Sequence, residues 1–538
     1  MSYTQNKKPI NIWLPFLLAA VLAFGMTLGF ALRPAQSGVG NSNQPAKHLE
    51  ELIRYIDAKY VDDVDSDELA EKAIKSILKE LDPHSNYISP EQIAAVNEEL
   101  DGNFEGVGIQ FIIQDDTIYI VDAISDGPAK AAGVRPGDKI IMIEDSLVAG
   151  TGLKSEDVIT KLKGEKNTTV NIKVKRNGQK ELLPFKITRD RIPIYSVDAG
   201  YMLNDETGYI KVNRFSATTV QEFNGKLKEF EEEGMKDLVI DLRQNPGGYL
   251  NAATGILNQL FGDKKLLVYT EGTHYNKNEY KSSGRNFHQI EDVILLIDEG
   301  SASASEIVAG ALQDWERGTI IGRRSFGKGL VQEQYDLSNG GALRLTVARY
   351  YTPSGRSIQK PYDEGRSSYN DEMYDRFESG ELTNQDSIQI TDTTKYYTSK
   401  NRVVYGGGGI TPDIFIPIDK LIDNKYYTES VGFVAPFVYH HLDTHREDYR
   451  KYETVRDFSK SVTISDKMLN DFAKYAKSEG VEMVQADFEK AKKELAILIK
   501  ANIGRQFFAT EGFFQILNES DVMIKRALKE LKKSKVNN

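Results

Sequence analysis

The chain has 538 residues, 40% of them hydrophobic and 27% charged, a balance that suits a globular protein of about three or four domains. Its net charge of −11 argues against a nucleic-acid partner, since a phosphate backbone selects clustered cations. There is no cysteine, which excludes disulfides and a thiol nucleophile, and the seven histidines form no H-E-x-x-H motif, so no metal or cofactor is expected.

Lys7 and Lys8 precede an uncharged, mainly apolar run from Ile12 to Leu32 that is long enough to cross a bilayer as a helix. The positive-inside rule then leaves the N-terminus in the cytoplasm and the rest of the chain on the extracytoplasmic, periplasmic side of the cell membrane. No clear A-x-A cleavage site follows, so residues 1–36 read as a cytoplasmic stub and retained single-pass anchor rather than a removed signal. Ser37 to Pro45 is a polar tether, and amphipathic helices follow from about His48 to Leu100. Their apolar spacing suits a docking surface, which leaves a homodimer and an adaptor protein open as partners.

Residues 101–190 form the next predicted unit. Phe104 to Val148 carries short β-branched strands, a hairpin turn at Asp115-Asp116 and a short helix opening at Pro128. The stretch GPAKAAGVRPGDKIIMIED resembles a PDZ domain, and the resemblance puts Gly106, Val107, Gly108 and Ile109 at a carboxylate-binding loop. Successive backbone N–H groups there would form a nest for a C-terminal carboxylate while the peptide adds as a strand at the sheet edge. A glycine-containing turn in a small β domain is the plainer alternative.

Three segments of the following unit, residues 191–420, carry candidate chemistry. Val239 to Leu250, VIDLRQNPGGYL, is a buried strand ending in a turn whose Gly247 and Gly248 either simply reverse the chain or expose N–H groups to an oxyanion. Val293 to Trp315 delivers a serine cluster from a buried strand to the first turn of a helix, beside free N–H groups and the positive end of the helix dipole. Ser303-x-x-Glu306 is equally a capping box, in which the two side chains satisfy orphan donors. In GRRSFGKGLVQ, Gly322 to Gln332, a single Lys328 stands between two glycines. A desolvated lysine there would have a lowered pKa, and its neutral amine could take a proton from a serine hydroxyl without any histidine. The same stretch imitates a phosphate-binding loop, but Gly329 occupies the Ser/Thr position and strands follow instead of a helix.

In this order, DLRQNPGG, GSASASEIVAGALQD, GRRSFGKGLVQ and ARYYTPSGRSIQ resemble the carboxyl-terminal processing, or tail-specific, proteases of the Ser-Lys serine peptidase class, as does LDPHSNY upstream. The resemblance covers roughly Leu49 to Pro417. It implies Ser303 as nucleophile, Lys328 as general base, Gln332 as the residue orienting the lysine, and Gly247 or Gly248 with Ala304 as oxyanion donors. Ser301 and Ser305 are turn and helix-start residues on this pattern. Four residues along a strand span roughly 13 Å, so the Lys328–Gln332 pairing is expected to need a helical curl before the strand begins.

Asp363 to Tyr405 is polar and interrupts the pattern, which resumes at Gly406; it reads as a surface insertion. Residues 421–538 are helical and Lys/Glu-rich, a packing or dimerisation extension without recognisable chemistry. The expected fold is α/β within a mixed multidomain chain: a twisted-sheet protease core, a PDZ β-domain and helical extensions at both ends. The expected activity is a membrane-anchored serine endopeptidase that captures protein C-termini. A catalytically silent PDZ scaffold and a non-proteolytic acyl-transfer enzyme are the alternatives.

Overall fold

Strands that are buried at every position have cover on both faces, and such strands lie at the centre of this chain. Thr207–Val212, Asp237–Asp241 and Val293–Ile297 are buried throughout. In the computed structural model, which describes residues 43–124, 127–390 and 392–537, they run parallel in a six-stranded sheet. Val197–Asn204 flanks them antiparallel on one side, and Gly318–Gly322 and Ile414–Phe415 extend the parallel part on the other.

Alternation along each strand divides the apolar side chains between two layers. Leu238, Ile240, Val293, Leu295 and Ile297 face a core shared with helices Thr219–Glu232, Leu250–Leu260 and Ala304–Asp314. Val239, Ile294 and Leu296 face the other way, against Met523, Ile524, Ala527 and Leu531 of helix Val522–Asn537. Helix Val522–Asn537 is therefore the second cover that a parallel sheet requires. The α/β expectation holds.

The PDZ unit is a six-stranded sheet around its own core of Ile118, Ile120, Ile140, Val158, Val170 and Ile172. Asp115 and Asp116 both have positive φ, at 49° and 50°, as a two-residue hairpin turn of primed type demands. Its two chain ends leave together as the antiparallel pair Asn103–Gly106 with Asp190–Pro193. Helices between Lys425 and Asn518 build a further core around Tyr426, Phe437, Phe458, Phe472 and Phe488. This core also touches the PDZ sheet, where Asp443 accepts from Lys139 at 2.9 Å and from the Tyr119 hydroxyl.

The insertion keeps most of its residues exposed or half-buried and forms regular elements of its own. Helix Arg366–Glu378 buries Tyr369 and Arg376, and Asp392–Tyr397 pairs with Val403–Gly406 as a hairpin. The few polar groups it buries are paired: Arg376 of the insertion and Arg324 both bind the Glu381 carboxylate at 2.8 Å. Such paired charges are tolerated inside a protein, whereas composition alone assigns them to the surface.

Among the described residues, those up to Ile77 form a separate unit. Its helix Asn43–Lys59 leaves Leu49, Leu52 and Tyr55 exposed. The apolar run Ile12–Leu32 lies outside the described residues, among which no helix is long and apolar enough to cross a membrane.

Candidate active site

Ser303 is the hinge between strand Val293–Ile297 and helix Ala304–Asp314. Its φ of 54° and ψ of −111° are rare for a residue with a β-carbon. Such strain persists only where surroundings impose it, and the imposing contacts come from the glycine turn. Ala302 N–H and the Ser305 hydroxyl both donate to the Asn245 carbonyl, at 3.0 and 2.9 Å. The Ser301 hydroxyl donates to the Leu242 carbonyl at 2.8 Å. Ser301 and Ser305 are thus buried and engaged as turn and helix-start residues, and Ser303 lines a cleft of about 500 Å³.

Glu306 does more than cap the helix. Its fully buried carboxylate accepts from Ser303 N–H (2.8 Å), Lys328 N–H (2.8 Å), Gly327 N–H (2.7 Å) and the Ser325 hydroxyl. One side chain therefore fixes the serine turn to the lysine loop. Burial lifts its pKa to about 7 against the pull of these four donors. Tyr350 adds a second tie, its hydroxyl lying within donating distance of the Ser303 and Lys328 carbonyls.

Lys328 shares the cleft with Ser303. Burial pushes its amine below the usual lysine pKa, and the nearby Arg344 cation adds to the effect. Its Nζ donates to Gln332 Oε1 at 3.0 Å, and Gln332 Nε2 donates to the His84 carbonyl at 2.7 Å. The helical curl expected for this pairing is absent. Strand Leu330–Asp336 begins before Gln332, with a bulge at Val331/Gln332. Positions i and i+4 of an extended chain share a face, so two long side chains reaching toward each other span the gap that the backbone leaves open.

Gly247 and Gly248 lie beside this pair but are not equivalent. Gly247 N–H donates to Asn245 Oδ1 at 2.9 Å, and a β-carbon on Gly247 would sit 2.8 Å from that of Ser303. Gly248 lines the cleft, while the N–H of Ala304, at the first position of its helix, is one of the donors that a helix leaves without an internal partner.

At the second candidate site, Gly106 and Val107 are buried and Gly108 has a φ of 75°. The carbonyls of Val107 and Gly108 accept from Ala129 and Ile124 N–H, which pins the loop from within. Ile109 opens strand Ile109–Gln114, an edge strand paired on one side only. Beside it lies a groove of about 640 Å³ lined by Val107, Ile109, Phe111, Ile159 and Leu162.

Sequence reasoning weighed Glu306 mainly as a cap and gave no role to Asn245, Tyr350 or the Asp82–Ser85 turn. The turn was visible only as the LDPHSNY motif. Asp82 accepts from His84 N–H (2.8 Å) and Ser85 N–H (2.9 Å), which sets the carbonyl that receives Gln332. From the insertion, the Tyr369 hydroxyl and His84 Nε2 are 2.8 Å apart, and Arg366 donates to the Pro83 carbonyl at 2.9 Å.

The parallel-sheet core and the PDZ unit joined to it are those of a serine-type peptidase, as the family matches show. Residues 206–364 match peptidase family S41, residues 106–187 match the PDZ domain, and residues 427–509 match a family of unknown function. The chain is 35% identical over 349 residues to the carboxy-terminal-processing protease of Bartonella bacilliformis, covering 64% of this chain and 79% of that protein. It is 35% identical over 315 residues to carboxy-terminal processing protease CtpB of Bacillus subtilis, covering 58% and 65%. Among solved structures, the photosystem II D1 C-terminal processing protease matches at 26% identity, covering 68% of this chain and 91% of that one, with a TM-score of 0.34. The chain belongs to the carboxy-terminal-processing proteases of peptidase family S41.

Proposed function

We propose that Ser303 and Lys328 are the nucleophile and general base of this peptidase. The observation that carries the reading is that the two line one cleft, with the lysine amine desolvated and held by Gln332. The neutral amine takes the Ser303 proton as Oγ attacks the scissile carbonyl carbon. The tetrahedral oxyanion receives the N–H groups of Gly248 and Ala304, because Gly247 N–H is already committed to Asn245. Lys328 then protonates the leaving amine; water, deprotonated by the same lysine, attacks the acyl carbon, and the lysine returns that proton to Ser303 Oγ as the acyl–Oγ bond breaks and the free acid leaves. Mass spectrometry of products from wild type and Ser303→Ala tests this: identical cleavage by both would remove Ser303 from the reaction.

Gln332 acts by orientation. Gln332→Ala is expected to lower kcat about 10- to 100-fold with KM little changed, as misplacing a reacting group does. A change confined to KM would assign Gln332 to substrate binding instead.

Substrates are protein chains held by their C-termini in the groove beside Gly106 to Ile109. The open strand edge and the pinned glycine loop support this, since both offer backbone hydrogen bonds to an added strand. Amidating a peptide's C-terminus is expected to raise KM, because it removes the charge that the loop accepts. Equal kinetics for acid and amide over a full concentration series would leave the groove without a role in capture. The uncharged run Ile12–Leu32 after Lys7 and Lys8 supports a membrane anchor with an extracytoplasmic catalytic part. Shaving of intact cells by added protease tests this orientation, and protection until lysis would reverse it.

A further inference from the structure

The wall of the catalytic cleft contains two cationic side chains, Lys328 and Arg344, and no Asp or Glu. Once Lys328 is read as a neutral base, Arg344 is the one permanent charge facing the substrate. It stands on strand Ala342–Tyr351, opposite Gln334 in the antiparallel register, and its Nη2 donates to Gln334 Oε1 at 3.2 Å. Among the described residues no carboxylate pairs with it. Partial burial disfavours its charged form and pushes its pKa down. A half-buried guanidinium with a single neutral acceptor retains free donors in a fork that matches a carboxylate.

We propose that Arg344 forms a carboxylate-binding subsite of the catalytic cleft. This rests on the cleft being the place of hydrolysis. Gln334 lies two residues beyond Gln332 on one strand face, so the guanidinium stands roughly 7 Å along the sheet from the group that holds Lys328. An extended substrate covers that distance in about two residues. The carboxylate is then an Asp or Glu side chain close to the bond cut, or the substrate's own C-terminus, in which case very short peptides are released.

The full-length enzyme can distinguish these sources with four matched peptides whose cut bond is located by mass spectrometry. Glu or Gln is placed within two residues of that bond, each with a free or an amidated C-terminus. Wild type, Arg344→Gln and Arg344→Lys are compared by ratios of kcat/KM, so that any effect of Arg344 on the Lys328 amine, common to all peptides, cancels. For a subsite reading a side chain, the Glu/Gln ratio is expected to fall by about 10- to 100-fold in Arg344→Gln, the usual worth of a charged hydrogen-bonded pair, and to recover in part in Arg344→Lys. For a subsite reading the C-terminus, the acid/amide ratio falls instead, while any preference exerted by the PDZ groove persists in the variant. Ratios equal in wild type and both variants overturn the proposal. Undiminished hydrolysis by Ser303→Ala would overturn the nucleophile assignment and leave the ratio test of Arg344 intact.

Discussion

Ser303→Ala and Lys328→Ala are each expected to lower peptide hydrolysis by about 10²–10⁴-fold or more, the usual worth of a positioned base, with folding preserved. Combined, they are expected to cost hardly more than either alone, because a nucleophile and its base act as one unit. Lys328→Arg is expected to be as inactive as Lys328→Ala, since a guanidinium stays protonated at any working pH. Retention of more than about a tenth of the activity in any of these would sink the assignment. The pH profile carries the same argument. Catalysis requires a neutral lysine, and burial lowers its pKa. Glu306, with a pKa of about 7, must be ionised to accept from all four of its donors. Both groups lose protons on the way to the active form, so kcat/KM is expected to rise with pH, through about 7 for Glu306 and through a lysine pKa below the usual value for Lys328. A rate that falls over this range would contradict both roles.

Glu306→Ala is expected to cost about 3 kcal/mol or more of stability and most of the activity. It leaves three backbone N–H groups and a buried hydroxyl without their acceptor, and each such loss costs about 1–3 kcal/mol. Glu306→Gln is a sharper probe. It keeps the shape but turns an NH₂ either toward the Ser303 and Lys328 N–H groups or toward the Gly327 N–H and the Ser325 hydroxyl, so a large activity loss with a smaller drop in unfolding free energy is expected. Denaturant titration together with kcat/KM separates the two effects. A Gln variant of near wild-type activity would reduce Glu306 to a helix cap.

The local pattern of the chain was enough for much of this. Fully apolar runs such as Val293–Ile297 announce strands covered on both faces, and their period-two split between two layers is inherent in strand geometry. The double aspartate at 115–116 announces a hairpin, and the PDZ stretch and the serine peptidase motifs are contiguous segments that can be recognised without a third dimension. Ser303 and Lys328 were candidates because a serine at a helix start and a lysine between glycines are informative on their own.

Tertiary structure decided what depends on residues far apart in sequence. The sequence treats Gly247 and Gly248 alike, and only the placement of Asn245 Oδ1 commits one N–H and leaves the other at the cleft. Gln332 reaches Lys328 across an extended, bulged strand because side-chain length supplies what backbone curvature does not. A few side chains of the polar insertion turn inward because its charges find partners such as Glu381 and its Tyr369 finds His84, pairings that composition cannot reveal. The amino-acid order thus determined the chemistry available and the local elements that present it. Which donors are free, which lysine is dry and which charge stands unpaired were settled by packing, because hydrogen-bond satisfaction and desolvation are properties of the surroundings rather than of the residue.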